Sequence, residues 1–392
     1  MEREKIVTRV LEANLEALKK LRGIEKKRAV YENLLKVTKE KKYFLGITGL
    51  RGVGKTILLL QLSQANNGIY FSADDRELRG TDLYDILRAV SEAGHKQIFI
   101  DEIHAKSGWD SDLKTIFDEN AASITFTGSS AIQLKNLKAD LSRRVVLEHI
   151  KPAGFREWLS IKKNINMPKI TMKELLKNKA QVSKKYSYAS KYLEEYYANG
   201  GVLYDAKTFF YKTIISTIET IAAKDLPSVK EIGQDTEENF FKLLQIISTS
   251  KPLELSYSKI GETMGKNKVW VMRFLYNIQK TEAIKKIYSC GSAVGSTRKE
   301  AKYYLPFPYR HALCTSLGKT PDIGALREEF FVNHIDCCYI KTSGEPTPDF
   351  KFEGMTFEIG GKSKRKKEAD IIVIDSLDTS ENKIPLFTVG LL

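Results

Sequence analysis

The chain has 392 residues, 42% of them hydrophobic and 29% charged, with 63 lysines and arginines against 49 acidic residues and a formal net charge of +14. That length exceeds a single hydrophobic core and predicts two or three domains. No apolar run approaches the roughly eighteen residues of a membrane span, so the expectation is a soluble multidomain protein. Cysteines 290, 314, 337 and 338 show neither metal-ligand spacing nor a disulfide framework, and five scattered histidines offer no zinc cluster. No structural metal is expected, and a reducing cytoplasm fits, as does a mixed-charge start, Met1-Glu2-Arg3-Glu4-Lys5, unlike a secretory signal.

Residues 1 to about 40 read as helix, with Val7, Val10, Leu11, Leu15 and Leu18 at helical spacing. Residues 43–150 then alternate strand and helix, with strands predicted near 44–48, 68–72, 97–101, 123–127 and 145–148, the pattern of a doubly wound parallel α/β sheet. The first strand, Phe44 to Thr48, runs into Gly49-Leu50-Arg51-Gly52-Val53-Gly54-Lys55-Thr56, a complete GxxxxGK[ST] phosphate-binding loop, and then into the apolar run from Ile57. Glycines are needed because backbone N–H groups must turn inward around a polyphosphate, where a Cβ would block the approach. Gly49, Gly52, Val53, Gly54, Lys55, Thr56 and Ile57 are therefore the candidate ATP-binding residues. Lys55 supplies charge to the β- and γ-phosphates, Thr56 a hydroxyl to Mg²⁺, and the following helix its positive end.

About 45 residues on, Gln97-Ile98-Phe99-Ile100-Asp101-Glu102 reads as a buried strand ending in two carboxylates. By itself such a pair also marks a solvated strand end; beside the phosphate loop it reads as a Walker B motif, Asp101 in the Mg²⁺ shell and Glu102 polarising the attacking water. The strand Ser123 to Thr127 ends in Gly128-Ser129-Ser130, where Ser129 is either a γ-phosphate sensor or a helix cap.

Residues 151–250 show helical patterns only, at 155–161, 172–176, 186–197, 206–223 and 237–248, as an all-helical lid would. Within 251–310, a helix and turn over 256–265, a helix over 266–278, and two short strands at 283–288 and 301–305 read as a winged-helix module. Lys266, Lys268 and Arg273 on its second helix are candidates for DNA recognition, or the module serves packing between domains. Residues 324–392 combine one helix, 325–335, with several strands. Basic clusters, nine lysines between 162 and 191 with Glu174 the sole acid, and Lys362, Lys364, Arg365, Lys366 and Lys367, are either solvated faces or a nucleic-acid footprint.

These motifs in this order, GLRGVGKT at 49–56, IFIDEIH at 98–104, TGSS at 127–130, SRRVVLEHIKPAGFREWL at 142–159, Gly200-Gly201, GALREEFF at 324–331 and IPLF-x-x-G at 384–390, resemble the prokaryotic AAA-type P-loop ATPases. Those carry a helical lid, a winged helix and a C-terminal PD-(D/E)xK restriction-endonuclease-like domain. The resemblance covers nearly the whole chain. It implies domains at 1–150, 151–250, 251–310 and 324–392. It places Arg144 at the position of an arginine that acts near the γ-phosphate, either of its own subunit or, in a homo-oligomer, of a neighbouring one; otherwise Arg144 is a surface residue pairing with Glu148. Gly200-Gly201 matches a lid motif that contacts nucleotide, here without its proline.

For the last domain the resemblance implies an Mg²⁺ site at Glu328, Asp349 and Glu358. The pattern then departs. Gly360 stands where the motif has lysine, so either Lys362 reaches in from a bulge or the domain is a degenerate nuclease kept for binding. Three functions follow: a DNA-associated ATPase with nucleotide-driven domain movement, an ATP-regulated structure-specific DNA nuclease, and a signalling or defence ATPase that binds protein.

Overall fold

The alternating apolar runs of residues 43–150 become a five-stranded parallel sheet in a computed structural model, which describes residues 2–128, 141, 143–204, 209–226, 235–252, 255–291, 300–340, 347–361 and 369–392. The chain divides into two units, Met1–Lys151 and Pro152–Leu392. In the first, α1 (Arg3–Leu18) and α2 (Tyr31–Glu40) precede β1 (Phe44–Thr48), α3 (Lys55–Ala65), β2 (Ile69–Ser72), α4 (Leu83–Glu92), β3 (Gln97–Asp101), α5 (Trp109–Asp118), β4 (Ser123–Thr127) and β5 (Val145–His149). The strand order β2-β3-β4-β1-β5 puts β1 between β4 and β5, and every residue of β1 is buried. A strand covered on both faces needs an unbroken apolar run, which is why β1 to β4 were visible in the sequence to within a residue at each end; the edge strand β5 is buried only at Val145.

Helix α1 turns a different face inward from the one its leucines suggest. Ile6, Val10 and Ala17 are buried, while Leu11 is 38% and Leu15 64% exposed. Its neighbour is the edge strand β2, and Asn14 Oδ1 accepts the Tyr70 backbone N–H at 3.0 Å. An edge strand presents unpaired amides; satisfying one with Asn14 fixes the rotation of the helix and leaves Leu15 outside.

The second unit begins with helices α6 (Phe155–Lys163), α7 (Met172–Lys177), α8 (Lys179–Tyr186), α9 (Leu193–Asn199), α10 (Phe210–Thr220), α11 (Thr236–Thr249), α12 (Tyr257–Met264) and α13 (Lys268–Lys280). The single helix expected over 186–197 is instead the end of α8, a 3₁₀ segment Ser187–Tyr192, and α9. Strands β6 (Lys285–Ile287) and β7 (Lys302–Tyr304) pair antiparallel, followed by α14 (Tyr309–Ser316) and α15 (Ile323–His334). The closing sheet comprises β8 (Cys338–Tyr339), β9 (Phe350–Phe352), β10 (Met355–Gly360), β11 (Ile371–Ile374) and β12 (Lys383–Pro385), in the order β12-β11-β10-β9-β8, and α16 (Leu386–Val389) ends the chain. β10, β11 and β12 run parallel; β8, β9 and β10 pair antiparallel.

One aromatic core joins the early helices of this unit to its sheet: Phe155, Trp158, Tyr196, Phe307, Phe330, Phe357 and Phe387 all belong to it. Tyr196 lies at the centre, 5.3 Å from the Phe155 ring, 5.1 Å from Phe307 and 5.7 Å from Phe330. No described helix is long and apolar enough to cross a membrane.

The cysteine expectation is overturned, because Cys290 and Cys338 form a disulfide across 48 residues. Backbone pairing brings them together: Cys290 N–H donates to Tyr339 O at 2.8 Å, and Tyr339 N–H to Tyr288 O at 3.0 Å. Proximity set by strand contact leaves no signature in cysteine spacing. The expectation of a reducing compartment, which leaned on unpaired cysteines, loses that support.

Among the described residues of the second unit, the most deeply buried ion pair is Arg310–Glu329, each side chain 1% exposed. Arg310 Nε and Nη2 donate to Glu329 Oε1 at 2.9 and 2.7 Å, and Nη1 donates to Ile247 O at 3.1 Å and to Ser248 O, so one guanidinium ties α14 to α15 and to the end of α11. Removing the cation strands a buried carboxylate and two carbonyls. Arg310→Met should therefore lower unfolding stability by about 3–5 kcal/mol; a denaturant midpoint within error of the parent protein would contradict this.

Candidate nucleotide site and a buried carboxylate cluster

Between β1 and α3 the chain must reverse around an anion and start a helix within six residues. Gly52 and Gly54 take φ of +86° and +92°, a region hostile to side chains, and α3 starts at Lys55. Lys55 is 6% exposed and folds back over the loop, donating to Gly49 O at 2.7 Å and Leu50 O at 3.1 Å. Thr56 Oγ1 donates to Asp101 Oδ2 at 2.7 Å, which brings the loop's hydroxyl to the end of β3.

Asp101 gathers more donors. Tyr70 OH, on β2, donates to Oδ2 at 3.1 Å, and Thr127 Oγ1, on β4, donates to Oδ1. Thr127 Oγ1 also accepts the Glu102 backbone N–H at 3.1 Å. Burial beside the Asp101 carboxylate pushes the Tyr70 phenol pKa strongly up, keeping it a donor. Glu102 itself has φ of +51°, unusual for a residue with a side chain, and its Oε2 lies 3.4 Å from His104 Nε2 on the short 3₁₀ turn Ile103–Ala105. Lys106, 5% exposed, closes that turn by donating to Leu78 O and to Thr81 O.

These groups fit a polyphosphate with one Mg²⁺. Such a cation takes one or two protein ligands and completes its shell with substrate oxygens and water; Thr56 and Asp101 are the two side chains that would supply that pair. Ser129 lies outside the described residues. The hydroxyl that reaches Asp101 from β4 is that of Thr127, which the sequence reading passed over; its signal was a polar side chain at the inward-facing end of a buried strand. Also missed was Arg28, 8% exposed, which donates to Val53 O inside the phosphate loop and to Lys151 O at 2.8 Å.

Arg144 pairs with Asp118 rather than Glu148. Its Nε and Nη2 donate to Oδ1 and Oδ2 at 2.8 and 3.0 Å, and the guanidinium lies 5.8 Å from the Phe117 ring centroid. The reason is register: β5 pairs with β1, and the chain just before it passes the end of α5. Gly201, at φ +81°, packs against the Phe307 carbonyl, where a Cβ would come within 2.4 Å, and its own carbonyl accepts Ala153 N–H at 2.9 Å. In this structure the Gly-Gly pair is thus a close-packing point of its own unit.

On α13, Lys268 pairs with Glu300 at 2.9 Å, while Lys266 precedes the Asn267 cap of that helix and sits 5.4 Å from the Trp270 ring. Arg273 is exposed among the exposed apolar side chains Val269, Met272 and Tyr276. Lys362, Lys364 and Arg365 lie outside the described residues.

In the closing domain Glu328 on α15 accepts Tyr304 OH at 2.7 Å. Asp349 Oδ2 accepts Ile359 N–H at 2.8 Å, and Glu358 on β10 is wholly buried. Burial, reinforced by Glu328 and Glu358, pushes the Asp349 carboxyl up to about 6. Glu328 and Glu358 thus both act on Asp349, and no group of three or more His, Cys, Asp or Glu that could hold a metal ion occurs among the described residues.

Into their midst β7 delivers Lys302, 6% exposed, its Nζ 4.0 Å from Glu328 Oε2 and making no hydrogen bond among the described residues. The Tyr339 and Phe350 rings flank the ammonium at 5.2 and 5.3 Å, and burial lowers its pKa. A lysine inside the apolar strand Lys302-Tyr303-Tyr304 was the available clue, but it lies far upstream of the acidic motif.

Lys302 holds the Asp349 pKa down, so Lys302→Met should raise it above about 6, measured by carboxyl titration in NMR. A carboxyl with a raised folded pKa contributes stability below its unfolded value, near about 4, and loses it as pH rises through the folded value. The variant should lose more stability than the parent over that climb and keep losing it at higher pH; an unmoved Asp349 titration would contradict this.

The profile of a family described as AAA domain matches residues 41–159. Over 338 residues the chain is 33% identical to the uncharacterized protein MJ1637 of Methanocaldococcus jannaschii, spanning 78% of this chain and 71% of that protein. MJ1544 of the same organism is 33% identical over 143 residues, 33% of this chain and 32% of that protein. Among solved structures, the Walker-type ATPase Paby2304 of Pyrococcus abyssi matches with a TM-score of 0.40 and 15% identity over 73% of this chain and 95% of its own. AMPPCP-bound DnaA from Aquifex aeolicus matches with a TM-score of 0.28 and 14% identity, over 64% and 87%. These structural likenesses are too slight to position a residue. The sequence relationship suffices: the chain belongs to the family of MJ1637, and its own residues 41–159 form an AAA-type P-loop ATPase domain.

Proposed function

We propose that the protein is an Mg²⁺-dependent ATPase that works on DNA, its nucleotide state moving the second unit's helices and closing domain. The observation that carries the ATPase part is the convergence of Thr56, Tyr70 and Thr127 on Asp101 beside a phosphate loop roofed by Lys55. Lys55 and the loop amides bind the β- and γ-phosphates, Thr56 and Asp101 hold the metal, and Glu102 orients the attacking water. Bound Mg²⁺ would supply charge neutralisation for phosphoryl transfer. Arg144, if it acts on a neighbouring subunit's γ-phosphate, first has to leave Asp118.

Lys55→Ala should abolish ATP binding or hydrolysis. Glu102→Gln should still bind ATP, measured by filter retention, but fail to release phosphate. Hydrolysis at the parent rate in Glu102→Gln would remove that residue from the base role.

Support for DNA as the partner is electrostatic: a net charge of +14 with basic clusters in separate regions, and an exposed Arg273 on α13. The nuclease reading is second. It is favoured by Lys302, which brings to the acidic cluster the positive charge that Gly360 fails to supply. We infer weak or undetectable cutting, because that ammonium already compensates the carboxylates a metal would need. A panel of duplex, forked and four-way DNA with ATP and Mg²⁺, scored for retention and cleavage, separates the readings. Retention that falls steeply with salt, without cleavage, is expected. Mg²⁺-dependent cutting lost in Asp349→Ala would promote the nuclease, and no retention at low salt would promote a protein-binding switch.

A further inference from the structure

The structure assigns a positioning role to Arg28: we propose that its guanidinium aims the backbone of the phosphate loop, turning the Gly54 N–H toward the bound anion. The proposal rests on the reading of residues 49–56 as the nucleotide site and deepens it.

The argument is one of peptide geometry. A trans peptide is planar, so the carbonyl of one residue and the N–H of the next point in opposite directions. Arg28 Nη1 donates to the Val53 carbonyl, and that oxygen shares its peptide plane with the Gly54 N–H. Holding the Val53 oxygen against the guanidinium therefore holds the Gly54 N–H on the opposite side. Gly54, at φ +92°, has little steric preference to fix this plane by itself, since glycine rotates freely there. Without an external anchor the peptide can flip, which would put a carbonyl oxygen where a phosphate needs a donor.

Arg28 is itself held. It is 8% exposed, and Nη2 donates to Lys151 O at 2.8 Å, the residue that follows the exit of β5. That exit is fixed to the loop by the Ile150 N–H, which donates to Thr48 O at 2.8 Å, and the loop runs so close to it that a Cβ on Gly49 would lie 2.4 Å from the Ile150 carbonyl. From the other side, Gln61 Nε2 on α3 donates to Lys26 O at 3.0 Å, tying the segment that carries Arg28 to the helix that follows the loop. The guanidinium thus bridges two backbone segments with a geometry only a planar, multi-donor side chain provides.

An anchor of this kind acts on nucleotide in ground and transition states alike, so its loss should weaken affinity and leave the saturated rate little changed. The test is calorimetric titration of Mg²⁺·ATP into the full chain, with steady-state hydrolysis and a thermal melt, for the parent protein, Arg28→Met, Arg28→Lys and Lys55→Ala. Arg28→Met is expected to raise Kd and KM about tenfold or more, the effect of losing a charged hydrogen bond, with kcat near that of the parent. Arg28→Lys, which keeps a cationic donor, should lie between the two.

A folded Arg28→Met with the parent's Kd would overturn the proposal, as would a lowered melting temperature with affinity intact, the mark of a purely structural role. If Arg28→Met does not fold, a parent-like Kd in Arg28→Lys overturns it instead. Loss of binding in Lys55→Ala alone leaves the nucleotide reading standing while this inference falls; Lys55→Ala binding like the parent would bring down both.

Discussion

A single buried carboxylate organises the first unit. Asp101, 5% exposed, is a polar group that burial penalises unless donors meet it, and among the described residues three hydroxyls do so, each from a different element: Thr56 from α3, Tyr70 from β2 and Thr127 from β4. The carboxylate is therefore a pin that registers β2, β3 and β4 with the loop helix, close to the carboxyl edge of the sheet, where parallel α/β folds place their ligands. The donors are not equivalent. Tyr70 and Thr127 sit on strands fixed by ladder hydrogen bonds, whereas Thr56 opens a helix next to the loop that must receive the ligand. A hydroxyl can rotate its hydrogen away and present a lone pair, so Thr56 is the donor free to change role while the other two keep Asp101 aimed.

How much of this was legible follows from where the information lies along the chain. The phosphate loop and the strand ending in Asp101-Glu102 are local patterns whose meaning is complete within a dozen residues. The donors that complete the site are not local: Tyr70 meets Asp101 across 31 residues, Thr127 across 26, and Arg28 reaches Lys151 across 123. No periodicity announces such partners. The same limit explains the cysteines, since strand contact joined Cys290 to Cys338, and helix α1, where the bond from Asn14 to the edge strand outweighed four exposed or half-exposed leucine and valine side chains.

Strand positions were read well because a sheet buried on both faces needs continuous apolar runs, while the helical second unit was read less well. Its early helices looked like a separate lid because each is amphipathic in isolation. Their apolar faces, however, meet Phe307, Phe330 and Phe387 from much later in the chain. Amphipathicity tells that a face is buried, not against what.

Helix α15 shows how finely such a unit is set. Successive residues on a helix point about 100° apart, and here two neighbouring glutamates enter two separate charged networks. Glu329 turns to Arg310 and the α11 carbonyls, while Glu328 turns to Tyr304 and Lys302 beside Asp349. Either network fixes the rotation of the helix, and each makes the other's geometry obligatory. A carboxylate cluster held this rigidly, with its counter-charge covalently attached on β7, has little freedom to rearrange around an incoming cation. The same pinning that stabilises the closing domain thus leaves its acidic centre facing a built-in cation, Lys302, across from Glu328.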